Sequence, residues 1–165
     1  MFSLPTHIHV DGLTGREITD FLASCDDAAF QSWWPNTHFQ FHTVKGIPGN
    51  VGCVIVMDEM IGGRRAKMRC ELVELVPGRT LVWQLRRPLV RLPVRLVLRL
   101  KDDDTGVQIE QSIEAGFSGA ASGLDPVFRL LFPPSFAAAK DEHVRTEFPK
   151  LRDFLRQKAG AANRA

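Results

Sequence analysis

The stretch SFAAAKDEHVRTEFPKLRDFLRQK, Ser135 to Lys158, decides the fold. It follows Pro133-Pro134, and its Phe136, Ala137, Val144, Phe148, Leu151, Phe154 and Leu155 fall on one side at helical spacing. The spacing predicts one long amphipathic helix, capped by Ser135 and fraying after Lys158. Pro149 lies inside it. A missing N–H and a ring crowding the Arg145 carbonyl predict a kink between Arg145 and Pro149. Between His38 and Phe117 the chain alternates instead with the period of strands. A rod with one apolar stripe and a run of strands with one apolar face bury each other, which makes the fold class α+β.

Working outward, Thr6 to Val10 alternates as a short strand, and Asp11-Gly12-Leu13 turns the chain. Thr14 with Glu17 has the T-x-x-E form of a capping box and opens a helix that buries Ile18, Phe21 and Leu22. Ser24 with Asp27 resembles a second cap, opening a short helix through Phe30, Trp33 and Trp34 that Pro35 stops. The strands expected next are 37–45, 51–60, 65–76, 80–86, 94–100 and 107–117. In the first of these, Phe39 and Phe41 face one way and His38, Gln40 and His42 the other. Val51 to Met60 is apolar on both faces for most of its length. Residues 87–93 read as irregular, because Pro88 and Pro93 interrupt pairing. Arg95 and Arg99 are expected to face Glu110 and Glu114 across a strand pair. Asp125-Pro126 predicts a further short helix to about Phe132.

The 165 residues, 44% apolar and 24% charged, suit one domain with a single core and an internal cavity, residues 1–165. A net charge of +2 gives no argument for nucleic acid. No apolar run approaches the roughly 20 residues needed to span a bilayer, so no stable membrane insertion is expected. The first ten residues lack the pattern of a secretory signal. Three scattered cysteines (Cys25, Cys53, Cys70) fit a reducing cytoplasm better than a disulfide framework.

The order strand, two short helices, six-stranded meander and long closing helix resembles the helix-grip fold of the START-like, birch-pollen-allergen type superfamily (SRPBCC). That superfamily includes polyketide cyclase/dehydrase-like proteins. The resemblance rests on Trp33-Trp34-Pro35, the Gly46–Gly52 loop, the segment ELVPGRTLVW ending at Trp83, and the closing helix from His143 to Phe154. It implies a curved sheet of six to seven antiparallel strands wrapped around the C-terminal helix. It also implies a cavity between them for an apolar small molecule, and it brings no invariant catalytic motif.

Several residues are candidates for that cavity. Lys140, His143 and Glu147 lie on or beside the apolar stripe with Val144, and either offer polar groups to a ligand or form a boundary cluster with packed stems and wet charges. Gln111 is polar at a position whose neighbours in register are apolar. Buried, its amide finds a partner or costs about 1–3 kcal/mol. Trp83, Met68, Cys70, Leu96, Leu98 and Ile113 read as core that doubles as cavity wall. His7-x-His9 and His38-x3-His42 each place two imidazoles on one strand face. Without an H-E-x-x-H, a paired C-x-x-C or a carboxylate set, no metal site is expected. His38, His42 and His143 remain candidates for acid/base work. No histidine neighbours a cysteine, no G-x-S-x-G occurs, and the glycine loops lack phosphate-binding patterns, so neither nucleophilic catalysis nor a cofactor is expected. The arginines at 86, 87, 91, 95 and 99 read as a solvated strand face. Three functions follow: binding of an apolar or aromatic, lipid-like or polyketide-like molecule; an acid/base cyclase or dehydratase; or a co-regulator acting through protein contacts.

Overall fold

The computed structural model describes residues 2–116 and 132–162. In chain order the elements are β1 (Phe2–Asp11), α1 (Gly15–Ser24), α2 (Asp27–Trp33), β2 (His38–Lys45), β3 (Val54–Ile61), β4 (Arg64–Val76), β5 (Thr80–Arg87), β6 (Val90–Asp102), β7 (Gly106–Ala115) and the long C-terminal helix α3 (Pro134–Ala162). The strands form one seven-stranded sheet in the order β1-β7-β6-β5-β4-β3-β2, antiparallel at every ladder. Strands 2 to 7 are the meander. β1 pairs with β7, so the chain's first strand closes onto its last. The short helix expected after Asp125 lies outside the described residues.

Local chemistry explains the element ends. Thr14 and Glu17 make the reciprocal capping box, with Glu17 N donating to Thr14 Oγ1 at 3.2 Å and Thr14 N to Glu17 Oε2 at 2.9 Å. α2 is capped by Asp26, whose carboxylate accepts from Ala29 N, rather than by Ser24. The Ser24 hydroxyl instead donates back to the Asp20 carbonyl. α3 begins at Pro134, in the first helical turn where a missing N–H costs nothing. It runs through Pro149 as one helix and continues past Lys158 to Ala162, because the alanines there favour helix.

Two strand expectations need correction. Pro93 sits within β6 rather than in an irregular loop. A register shift between Gln84 and Arg86 opens the β5–β6 ladder there. The Gln84 side-chain amide donates to the Leu92 carbonyl and, at 3.0 Å, to the Val94 carbonyl. The side chain thus serves β6 carbonyls that the shifted β5 backbone does not reach, while the Pro93 carbonyl accepts from Gly116 N at 2.9 Å. A second shift, between His38 and Gln40 in β2, breaks the simple alternation. His38 and Phe41 are both buried, while Phe39 lies under the Arg65 guanidinium and His42 pairs with Asp27 at 2.8 Å. His38 and His42 therefore do not share a face.

The inner face of the sheet packs on α1, α2 and α3 through Leu13, Ile18, Phe30, Leu81, Leu98, Val144, Phe148 and Leu151. The β3–β4 turn touches α3. Gly62 has φ +57°, and a Cβ there would stand 2.4 Å from Ala139 Cβ, so only glycine fits. The arginine-rich strands are paired rather than bare. Arg99 reaches Glu110 and Glu114, Arg86 and Arg91 both hold the buried Glu71, and Arg95 donates to Gln84. Arg95 and Arg99 face the glutamates of β7 as expected, and the register sets Arg95 opposite Glu114 and Arg99 opposite Glu110.

Asp58 has no exposed side-chain surface and accepts two hydrogen bonds from Arg65, at 2.8 and 2.9 Å. Those bonds hold its carboxyl below the usual range. A carboxyl depressed in the folded state stabilises fully above its unfolded value of about 3.9, and that stability is lost as pH falls through the folded value. Urea unfolding of Asp58→Asn should therefore show a clear deficit against the parent at pH 7. The deficit should shrink below about pH 4. A constant deficit across that window would remove Asp58 from the acid limb.

Candidate functional site

Between the sheet and α3 lies a cavity of about 130 Å³. Its wall is mostly aliphatic and aromatic. The structure brings Trp83, Gln111, Met68, Leu98, Ile113, Lys140, His143, Val144 and Glu147 onto that wall together with Leu96. Cys70 is buried in the core cluster but does not line the cavity, and burial pushes its thiol up to about 12, which suits packing rather than nucleophilic work. His42 stands apart from the cavity, on Asp27, and His9 lies on Asp103 and His7 on the same outer face of β1.

Polar groups reach the inner face in two places. The first is Lys140, only 4% exposed. Its ammonium donates to the carbonyls of Leu4 (3.0 Å) and Gln111 (2.5 Å) and to Thr6 Oγ1 (3.0 Å). All three of its protons are thus used, and they join α3 to β1 and β7. Burial lowers its pKa to about 8, against the pull of Asp141 and Glu147. The sequence places Gln111 as a polar side chain in an apolar row. The structure adds that its main-chain carbonyl anchors this lysine.

The second place is a cluster of His38, Glu59, His143 and Glu147, each at least nine-tenths buried. His38 begins β2 and points inward, and the register shift that follows it puts Phe41 on the same side. Glu59 comes from the inner face of β3. His143 and Glu147 are one helical turn apart on α3. His143 Nε2 stands 3.2 Å from Glu59 Oε2 and 4.0 Å from Glu147 Oε2, while His38 Nε2 stands 3.6 Å from Glu147 Oε1 and 3.8 Å from Glu59 Oε2. Aromatic rings fix both imidazoles. Phe30 stacks on His38 with centroids 3.8 Å apart, and Trp34 covers His143 at 4.8 Å. Trp33 completes the frame, its indole N–H donating to the Glu147 carbonyl at 3.0 Å.

Burial dominates the protonation of this cluster. It drives the His38 pKa down to about 3, with the neighbouring His143 pushing the same way, so His38 is neutral at pH 7. Its Nδ1–H donates to the Phe30 carbonyl at 3.2 Å, which leaves Nε2 as a bare lone pair directed at the carboxylates. Burial likewise raises Glu147, with Glu59 adding to it, to about 8. Burial also opposes charge on His143, but Glu59 and Glu147 outweigh it and its pKa rises.

Glu59 escapes a reading of the sequence that treats Val51 to Met60 as apolar on both faces. The signal is the dipeptide Asp58-Glu59. Two adjacent acids in a strand covered on both sides must point to opposite faces, so one of them has to enter the core. Asp58 meets Arg65 on the outer face and Glu59 takes the cavity side.

No family model matches the sequence, and no curated protein matches it. Solved structures do match it in shape. The ginseng major latex-like protein 151 from Panax ginseng superposes with a TM-score of 0.58 over 86% of this chain and 96% of its own, at 13% identity. Protein NE0264 from Nitrosomonas europaea gives 0.58 over 95% and 97%, at 10% identity. Ara h 8.0201 gives 0.53 over 88% and 98%, at 14% identity. Among the described residues no helix is long and apolar enough to cross a membrane. With its curved antiparallel sheet, paired short helices and long closing helix, the chain has the helix-grip fold of the START-like, birch-pollen-allergen type superfamily.

Proposed function

We propose that this protein is one helix-grip domain that binds an apolar or aromatic small molecule in the cavity between the sheet and α3. The observation that carries the reading is the division of the cavity wall. Trp83, Leu96, Leu98, Ile113 and Val144 supply an apolar lining, and the polar groups are gathered in two spots, at Lys140 with Gln111 and Ser112 and at Glu59, His143 and Glu147, behind which His38 lies outside the wall. Such a wall takes an apolar body and orients it by one polar group. At about 130 Å³ the space suits a molecule near the size of a single ring, close to the roughly 150 Å³ of cavities that take benzene. The three free cysteines, two of them buried, suit a reducing compartment, and we place the protein in the cytoplasm.

Titration of the protein with toluene and with p-cresol in the presence of EDTA, followed by NMR shifts, tests this. Both should bind, p-cresol more tightly. Met68→Trp, which fills the cavity from its partly exposed edge, should abolish both. His143→Leu should weaken p-cresol and spare toluene. Shifts that survive Met68→Trp would end the proposal.

A second reading, a cyclase or dehydratase acting by acid/base chemistry, is favoured by one observation: the Glu59–His143 pair faces the cavity with its atoms 3.2 Å apart. A molecule that native mass spectrometry finds co-purified with His143→Gln should then, on incubation with the parent and not with the variant, either lose one water or change its chromatographic retention at unchanged mass.

A further inference from the structure

The four side chains at the polar end of the cavity have a property that ligand binding does not call for. Their donor atoms all lie within 4.8 Å of one another. We propose that His38 Nε2, His143 Nε2, one oxygen of Glu59 and one of Glu147 form a binding site for a divalent first-row transition ion, zinc being the reference case. This goes beyond the binding of an apolar molecule and does not depend on it.

Four observations carry it. The first is spacing. Four ligands held about 2.0–2.1 Å from a tetrahedral ion stand about 3.3 Å from one another. Here His143 Nε2 is 3.2 Å and His38 Nε2 3.8 Å from Glu59 Oε2, each imidazole is within 4.0 Å of one Glu147 oxygen, and no two of the four donors are more than 4.8 Å apart, so the set contracts onto an ion without rearrangement of the backbone. The second is orientation. A metal-binding imidazole gives one nitrogen to the ion and its other N–H to an acceptor that fixes the ring. His38 does this through Phe30 O, which leaves its Nε2 turned to the centre, and Trp34 lies over the His143 ring with its Nε2 turned to Glu59. The third is want of partners. His38 Nε2, His143 Nε2 and Glu147 Oε2 are buried and accept or donate no hydrogen bond among the described residues. Three unpaired polar atoms aimed at one point are costly unless something occupies that point. The fourth is charge. Two buried acids face each other, and a doubly charged cation lets both stand as carboxylates. Two imidazoles with two carboxylates, and no thiolate among them, suit zinc, iron or manganese rather than a soft ion. Spacing along the chain hides the set, because its members come from β2, β3 and α3, and the pair singled out by sequence, His38 with His42, is split by the β2 register shift.

The test uses full-length protein carrying no histidine tag, stripped with EDTA and titrated with Zn²⁺ by calorimetry and with Co²⁺ by visible absorption. One ion per chain is expected, with d–d bands for Co²⁺ and a Zn²⁺-dependent rise in Tm. Glu59→Gln with Glu147→Gln should weaken binding by at least about tenfold. His7→Ala with His9→Ala, on the outer strand face, should leave it unchanged. Co²⁺ bound to the parent should also shift the indole N–H resonances of Trp33 and Trp34, which frame the cluster, a reading that holds even where the double glutamine variant fails to fold. Absence of stoichiometric uptake by the parent overturns the proposal. So does uptake that the glutamine pair leaves intact, or uptake that the His7/His9 pair removes. Apolar probe binding measured in EDTA is independent of each of these outcomes.

Discussion

Phe148→Ala should destabilise the protein by about 3–5 kcal/mol, read as a lower urea midpoint with an unchanged m-value. Phe148 is 2% exposed and stands at the centre of the main core, and it also borders the cavity. Truncation removes its transfer free energy and leaves a void. That void opens into existing space of about 130 Å³, which gives the neighbours little reason to collapse inward. The upper part of the range is therefore expected. The same geometry gives a second readout. The enlarged cavity should take benzene more tightly than the parent's does, so saturating benzene should raise the Tm of the variant by more than that of the parent. A loss under about 1 kcal/mol would mean that α3 is not held by this residue.

Trp33→Ala should cost a similar amount, about 3–5 kcal/mol, for a different mixture of reasons. Trp33 meets Phe21, Phe30 and His38 edge-on, with centroids 5.5, 5.8 and 4.6 Å away, and its indole N–H donates to the Glu147 carbonyl. The N–H missing at Pro149 is the one that would serve the Arg145 carbonyl, so the indole bond to Glu147 is an additional tie between α2 and α3. Trp33→Phe separates the two contributions. It keeps most of the ring packing and loses the donor, and it should cost about 0.5–1.5 kcal/mol, the net contribution of one hydrogen bond. Equal losses for the alanine and phenylalanine variants would assign the whole effect to the hydrogen bond. A neutral phenylalanine variant would assign it to packing.

The architecture was legible where one period dominates. The apolar stripe of Ser135 to Lys158 and the alternation of Leu96, Leu98 and Leu100 each fix a face without help from elsewhere. The capping box at Thr14 is equally local. Legibility stopped where the backbone slips. The shift in β2 puts His38 and Phe41 on the same side, and the shift in β5–β6 lets Pro93 enter a strand while the Gln84 amide serves the carbonyls of its neighbours Leu92 and Val94. Both depend on neighbours remote in sequence, which no local pattern reports. The candidate site divides in the same manner. Lys140, His143 and Glu147 can be read from helix spacing, since residues three and four apart share a face. That His38 and Glu59 meet them cannot, because two strands and a helix must first be placed. The adjacent acids Asp58 and Glu59 were the nearest available hint.

The pairing of β1 with β7 also governs when this chain can fold. Ser3 meets Ser112 across 109 residues of sequence, Trp33 reaches Glu147 across 114, and Lys140 ties back to Leu4 across 136. Each such closure has to absorb loop entropy before it returns any contact energy, which favours slow folding. During synthesis the meander emerges well before its covering helix. Until residues 106–115 leave the ribosome β1 has no strand beside it, and until 134–162 follow, the inner sheet face with Ile55, Leu72, Leu81 and Leu98 has only part of its cover. The nascent protein thus spends the second interval with apolar surface in water. That is the window in which a chaperone, or a second copy of the chain, competes for the place of α3.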